Sequence, residues 1–181
     1  MVFTDSKVSS FIAKRSIYLL NKTLQEKGRS ILDARILDPC VGGGSFFISL
    51  LEASKLEPFG ENNIIGIDIE TEAIELAKKN LREYGIKDPE SLNIYRADFL
   101  DDFSDSGFDL IIGNPPYIGE KGNKDLFSKI RTTEFGEKYY EKGMDYFYYF
   151  IEKSLDLLNH DGILAMITPT YWTRADSASK L

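Results

Sequence analysis

Ile36-Leu37-Asp38-Pro39-Cys40-Val41-Gly42-Gly43-Gly44-Ser45-Phe46-Phe47 decides the fold. A short apolar strand, 36–38, ends in an acid and a proline, three glycines follow, and an apolar helix opens at Ser45 and runs to about Ser54. Gly42 and Gly44 let the backbone pass close to a ligand where a Cβ would intrude. After a loop marked by Pro58, Gly60 and Asn62-Asn63, the run 64–68 is a second buried strand, and it too ends in an acid, Asp68. Strand, glycine loop, helix and acid-ended strand together predict a nucleoside-binding βαβ unit. Asp68 lies 24 residues beyond Gly44, a spacing suited to a carboxylate that accepts both ribose hydroxyls.

The ligand predicted for this unit is not a dinucleotide. That fingerprint wants a third glycine to seat the helix on the sheet, and the position three past Gly44 is Phe47. No phosphate-cradling lysine is present, which speaks against a nucleoside triphosphate. Asp38-Pro39 at the first strand end would repel a pyrophosphate but could face a cationic amino-acid group, which points to S-adenosylmethionine. Asp98, after a third strand over 92–97, is placed to accept from an adenine amino group, with Phe99 and Ile69 as apolar walls. Each acid taken singly could equally cap the segment that follows it; three at successive strand ends are harder to explain that way.

Outward from the unit, strands keep alternating with helices. Residues 1–27 read as a helical stretch stopped by Gly28, and the N-terminal helical segment covers about 1–30. A helix with Thr71 as its N-cap carries Ile74, Ala77, Leu81 and Tyr84 inward and ends at Gly85. Phe108 to Gly113 is a strand apolar on both faces. Residues 119–143 carry nearly balanced basic and acidic charge and predict a solvated loop with one short helix. A helix from about Asp145 to Leu158, a turn at 159–162 and a strand from Ile163 to Ile167, broken by Pro169, complete the pattern. The fold class is α/β, Rossmann-like, a doubly wound and mostly parallel sheet. A further helix begins near Leu181 without its sheet partner, so a chain truncated at the C-terminus is expected.

Asn114-Pro115-Pro116-Tyr117 follows the fourth strand. Two prolines cannot donate ladder hydrogen bonds, so the strand must stop there. A polar amide, a rigid bend and an aromatic ring thus stand at the sheet edge where ligands bind in open α/β folds. Read alone, the four residues could be only a strand-ending turn.

Bulk composition narrows the classes. At 181 residues the chain is one domain's worth, with 43% hydrophobic and 28% charged residues. No run is long enough to span a bilayer and no signal segment opens the chain. The single cysteine, Cys40, allows no internal disulfide and fits a reducing cytoplasm; with His160 the only histidine, no metal site is expected. Neither Cys40, whose backbone alone is expected to contribute, nor His160, in its turn, is assigned chemistry. A formal charge of −7 is wrong for a self-sufficient DNA binder. Either nucleic acid is not the partner, or the phosphate grip lies outside these residues.

Together these motifs resemble those of the S-adenosylmethionine-dependent amino-methyltransferases, above all the adenine-N6 DNA methyltransferases of the gamma arrangement (TaqI-type, restriction-modification class). The family's Asp-Pro-x-x-Gly-x-Gly-x-Phe motif is matched by Asp38, Pro39, Gly42, Gly44 and Phe46, its acidic motif by Asp68, its third by Asp98-Phe99 and its catalytic motif by Asn114 to Tyr117. Phe3-Thr4-Asp5 approximates an aromatic-Thr-Pro motif of the cofactor site, with Asp5 in place of proline. The resemblance implies a catalytic domain over 1–181 that lacks the family's target-recognition domain, double-stranded DNA as the partner through that missing domain, and a restriction nuclease or specificity partner. It implies that the Asn114 side-chain oxygen and the Pro115 carbonyl accept from the adenine amino group while Tyr117 stacks on the flipped base. Guanine-N2 RNA methyltransferases and release-factor glutamine methyltransferases share Asn-Pro-Pro-Tyr, and a cofactor-binding subunit without activity of its own remains a third alternative.

Overall fold

Residues 4–56 and 63–174 are described in the computed structural model, without the side chains of 173 and 174; Phe3 lies outside them. The chain opens with α1 (Ser6–Glu26), β1 (Ile36–Asp38), α2 (Ser45–Ser54), β2 (Ile64–Asp68), α3 (Thr71–Tyr84) and β3 (Asn93–Arg96). It continues with β4 (Phe108–Gly113), two short helices, α4 (Lys124–Ile130) and α5 (Glu134–Tyr139), then α6 (Phe147–Leu157) and β5 (Leu158–Met166). The five strands form one sheet in the order β3-β2-β1-β4-β5, and every pairing is parallel. β1 and β4, at its centre, are buried on both faces, as their unbroken apolar runs require.

Each face of the sheet carries its own core. α1, α2 and α3 cover one face through Ala13, Ile17, Leu20, Phe47, Leu50 and Ala77. The other is covered by α6 and the helices before it, through an aromatic cluster of Phe99, Phe103, Phe108, Phe127, Phe147 and Tyr149. Among the described residues no helix is long and apolar enough to cross a membrane.

Three local expectations are corrected. The N-cap of α3 is Glu70, not Thr71; the carboxylate that takes the Glu70 N–H is Asp68, at 3.1 Å. Residues 159–162 are not a turn but the first half of β5. Asn159 donates to Asp109 at 2.8 Å and to the Gly107 carbonyl at 3.1 Å, which draws this polar segment onto the sheet, with a register shift opposite Phe108 and Leu110. A Cβ on Gly162 would stand 2.9 Å from the Phe108 carbonyl oxygen, so only glycine passes there. Residues 119–143 hold two helices rather than one, and they are not merely solvated, since Phe127 and Ile130 are buried against the aromatic core.

The Asp5 substitution in the N-terminal motif has a local cause. Asp5 caps α1, accepting from the Lys7 and Val8 N–H groups, which proline cannot do. The other end of α1 follows the expected stop, with Gly28 at φ +67° and Arg29 N–H returning to the Leu24 carbonyl.

Candidate functional site

Strand order reverses about β1, whose neighbours are β2 on one side and β4 on the other. The loops leaving β1 and β4 therefore diverge, and a crevice opens between them at the carboxyl edge of the sheet. Residues 40–43, Ser45 and Phe46 from the first loop, Asn114 from the second and Thr4 from the start of α1 line one cleft there.

The glycine loop is held open by backbone geometry and borrowed hydrogen bonds. Gly42 and Gly44 have φ of +50° and +83°, the left-handed region that L side chains rarely adopt. Gly44 also packs on α3, where a Cβ would lie 3.3 Å from that of Ala77. From the same helix Asn80 donates to the Gly43 carbonyl at 2.8 Å, which leaves the loop's outer face free of that oxygen. The Val41 N–H bonds the Ile67 carbonyl, and the Gly42 N–H bonds Asp68 Oδ2 at 2.9 Å. Asp68 is half-buried beside the loop.

Asp38 and Cys40 sit beneath this loop. The Asp38 carboxyl is buried and accepts the Cys40 N–H at 3.2 Å; burial, opposed by that bond and reinforced by the charge on Asp68, pushes its pKa up to about 8. Pro39 is buried with it. Gly113 makes room for both, since a Cβ there would stand 3.1 Å from Asp38 Oδ1 and 3.2 Å from Cys40 Sγ. Cys40 is among the residues that line the cleft, with its Sγ against Gly113. Burial pushes its thiol pKa well up, and the Asn114 N–H donates to it.

At the end of β4 the Asn114 carboxamide is bonded on both sides. Its Nδ2 donates to Thr4 Oγ1 at 3.1 Å, and the Tyr117 hydroxyl donates to its Oδ1. The same hydroxyl lies 2.8 Å from the Ile167 carbonyl oxygen. Pro115 is buried behind, and the Tyr117 ring, 38% exposed, stands edge-on to Phe147 at 5.9 Å with a surface toward solvent. Burial first, reinforced by the neighbouring Cys40 and Asp145, raises the Tyr117 pKa, so the phenol keeps its proton as a donor.

Two braces stand behind this motif, in stretches that also resemble the family (Asp145 to Phe147 and Tyr171-Trp172) but whose bonds the sequence did not assign. Asp145, buried ahead of α6, accepts from the Ile118 N–H at 2.9 Å and the Tyr171 hydroxyl at 2.8 Å. The Tyr146 N–H returns to the Ile118 carbonyl, so the chain just past Tyr117 is pinned to α6. Trp172 donates to Thr168 Oγ1 and packs on Phe147 and Tyr148. An acid just before an aromatic helix was the available signal for Asp145; Asn80 gave none, being one polar residue on an amphipathic helix.

The adenine end is less assembled. Asp98 is half-buried and accepts the Leu100 N–H at 3.0 Å, which is the capping behaviour held open above. Ile69 is exposed, whereas Phe99 is buried among Phe103 and Phe150. His160 is exposed on β5 beside Asp161. Among the described residues no cluster of three or more His, Cys, Asp or Glu is placed to hold a metal ion.

A glycine-loop cleft with an acid on one side and a carboxamide on the other can bind a nucleoside beside a second molecule whose polar hydrogens need acceptors. Known proteins resemble this chain in fold and in sequence. A putative class I S-adenosylmethionine-dependent methyltransferase from Listeria monocytogenes superposes with a TM-score of 0.69 at 19% identity, over 98% of this chain and 50% of that one, and shows the fold to be Rossmann-like of this methyltransferase class. The type II methyltransferase M.BanIII of Aneurinibacillus aneurinilyticus is 29% identical over 181 residues, 92% of this chain and 30% of that protein. The ribosomal protein uL3 glutamine methyltransferase of Bradyrhizobium diazoefficiens is 34% identical over 98 residues, 54% of this chain and 28% of that one. The chain thus spans under a third of the length of these curated relatives. Residues 82–181, more than half of the chain and including the Asn114 motif, match the Eco57I restriction-modification methylase family, and the chain belongs to that family.

Proposed function

We propose that these residues are the catalytic part of a restriction-modification DNA methyltransferase, which transfers a methyl group from S-adenosylmethionine to N6 of a flipped-out adenine. The observation that carries the reading is the Asn114 carboxamide at the rim of the glycine-loop cleft, across from a βαβ unit that ends in Asp68. Motif order along the chain, with the cofactor loop ahead of Asn-Pro-Pro-Tyr, supports the gamma arrangement.

The cleft fits the cofactor. Gly42 and Gly43 present bare backbone to it, and the Asp68 carboxylate retains lone pairs for ribose hydroxyls beyond those used by Gly42 and Glu70. When bound, S-adenosylmethionine supplies an electrophilic methyl group on a sulfonium. Adenine N6 is a poor nucleophile because its lone pair is delocalised into the ring. Asn114 Oδ1 and the Pro115 carbonyl, accepting its two hydrogens, draw the nitrogen toward a tetrahedral form and localise that pair. Positioning then supplies most of the rate. Tyr117 offers the extruded base a ring, and stacking of this kind is worth about 1–3 kcal/mol, enough to offset much of the unstacking cost.

The net charge of −7 fits a catalytic domain, 1–181, whose DNA grip and site selection lie elsewhere in the protein. A restriction nuclease would be its partner in a bacterial cytoplasm.

A glutamine amide has the same delocalised nitrogen, and the identity to the uL3 glutamine methyltransferase favours that as the second reading. Incubation of the full-length protein with methyl-labelled cofactor and, in parallel, DNA, ribosomal RNA, a release factor and ribosomal protein uL3 separates them. Label in DNA, recovered as N6-methyladenine, is expected; label in a protein glutamine or in RNA guanine would overturn the assignment.

A further inference from the structure

The Asn114 carboxamide works only one way round. Its oxygen must face the incoming amino group, and its own NH₂ in that place would repel the hydrogens it is meant to receive. An amide is nearly symmetric in shape, so the orientation is set by its neighbours. Those neighbours are two hydroxyls, one distant in sequence and one local: Thr4 on the nitrogen side and Tyr117 on the oxygen side.

Resting on the function proposed above, we infer that Thr4 is a positioning residue that sets which way the Asn114 amide faces and ties that orientation to occupancy of the cofactor cleft. Thr4 lies 110 residues from Asn114 in sequence and reaches it because Asp5 caps α1, fixing the residue just before the helix. Thr4 also lines the glycine-loop cleft. A threonine hydroxyl has one proton and two lone pairs. When a ligand oxygen in the cleft takes the proton, Oγ1 can only accept toward Asn114, so Nδ2 must turn to it and Oδ1 is presented on the Tyr117 side.

The Tyr117 hydroxyl shows why this hold is needed. Its single proton has two acceptors in reach, Asn114 Oδ1 and the Ile167 carbonyl oxygen. If the proton goes to Ile167, the phenol oxygen becomes a good acceptor for an amide NH₂. Without Thr4, the amide would therefore settle the wrong way round, its NH₂ on Tyr117 and facing the substrate.

The test uses the full-length protein with Thr4→Val and Thr4→Ser. Single-turnover methyl transfer is measured at saturating cofactor and substrate, with the cofactor dissociation constant measured separately. Thr4→Val, close in shape but without the hydroxyl, should slow transfer at saturation by about ten-fold or more, and Thr4→Ser should restore it to within about three-fold. Transfer by Thr4→Val at the wild-type rate once cofactor is saturating would make Thr4 only a wall of the cleft and overturn the inference. So would a Thr4→Ser variant as slow as Thr4→Val, which would point to the methyl group. A readout free of turnover is the side-chain ¹⁵N–¹H pair of Asn114. Added cofactor should shift it in wild type and in Thr4→Ser but not in Thr4→Val, and the same shift in all three proteins would overturn the inference. Should the wild-type protein methylate no acceptor, the proposed function fails, and this resonance still decides the role of Thr4.

Discussion

The Asp68 carboxylate bonds the Gly42 N–H and thereby holds the glycine loop, and under the function proposed above it would also accept from the ribose hydroxyls. Asp68→Ala should raise the cofactor dissociation constant by roughly ten- to a hundred-fold, about two charge-assisted hydrogen bonds' worth, as read by calorimetry; unchanged affinity would remove it from the ribose site. Asp38 behaves differently because it is buried under that loop. Its folded pKa, about 8, lies above the unfolded carboxylate value near ~4, so its contribution to stability is full below that lower value and is lost as pH rises through 8. Between pH 5 and 9 the melting temperature of the wild type should fall by several degrees more than that of Asp38→Asn, measured by scanning calorimetry. The acids at the strand ends were visible in the sequence because strand, glycine and acid follow one another locally. The raised pKa of Asp38 was not, since it depends on burial against a strand distant in sequence, where Gly113 of β4 leaves room for the carboxyl.

Elements read correctly from sequence are those whose pattern is local. β1, β2 and β4 are unbroken apolar runs, α3 is amphipathic and ended by Gly85, and each lies where its own residues place it. The rejection of a dinucleotide also has a structural counterpart. Phe47, at the third-glycine position, is received by Gly66 of β2, where a Cβ would meet its ring at 3.2 Å. Failures came where long-range bonds override local signals. Asn159 to Gly162 look like a turn and are held as strand by Asp109 and Gly107. Asp145 looks like an ordinary helix start and is a buried carboxylate joining the Ile118 amide to Tyr171. Removing it leaves those donors without their partner, so Asp145→Ala should cost about 2–4 kcal/mol in urea unfolding and loosen the segment after Tyr117. A loss below ~0.5 kcal/mol would mean that the brace is dispensable.

Across the whole molecule the two ends of the sheet differ in what they hold. The carboxyl edge carries the cleft. The opposite edge is tied by Asp109, whose buried carboxylate takes a forked pair of bonds from Arg29 at 2.7 and 3.1 Å, another from the Arg35 N–H at 3.1 Å and one from Asn159. Burial pushes the Asp109 pKa up, but the Arg29 bonds, the Arg35 N–H and Asn159 outweigh it and the net shift is downward. A depressed folded pKa contributes stability that is present above the unfolded carboxylate range and is lost as pH falls through the folded value. Wild-type protein should therefore lose stability on acidification below about pH 4 more steeply than Asp109→Asn, while Arg29→Ala costs about 1–3 kcal/mol at neutral pH. Equal acid slopes for wild type and Asp109→Asn would refute this anchoring role.

The central claim is that Asn114 acts on the acceptor nitrogen and not on the cofactor. It is tested most directly by Asn114→Ala in the full-length protein, with methyl transfer to DNA and the cofactor dissociation constant measured on the same preparation. Transfer should fall by about a thousand-fold or more, the scale for losing a transition-state hydrogen-bond partner, while the dissociation constant stays within a few-fold of wild type. Transfer that survives the substitution, or cofactor binding lost in step with transfer, would contradict the account.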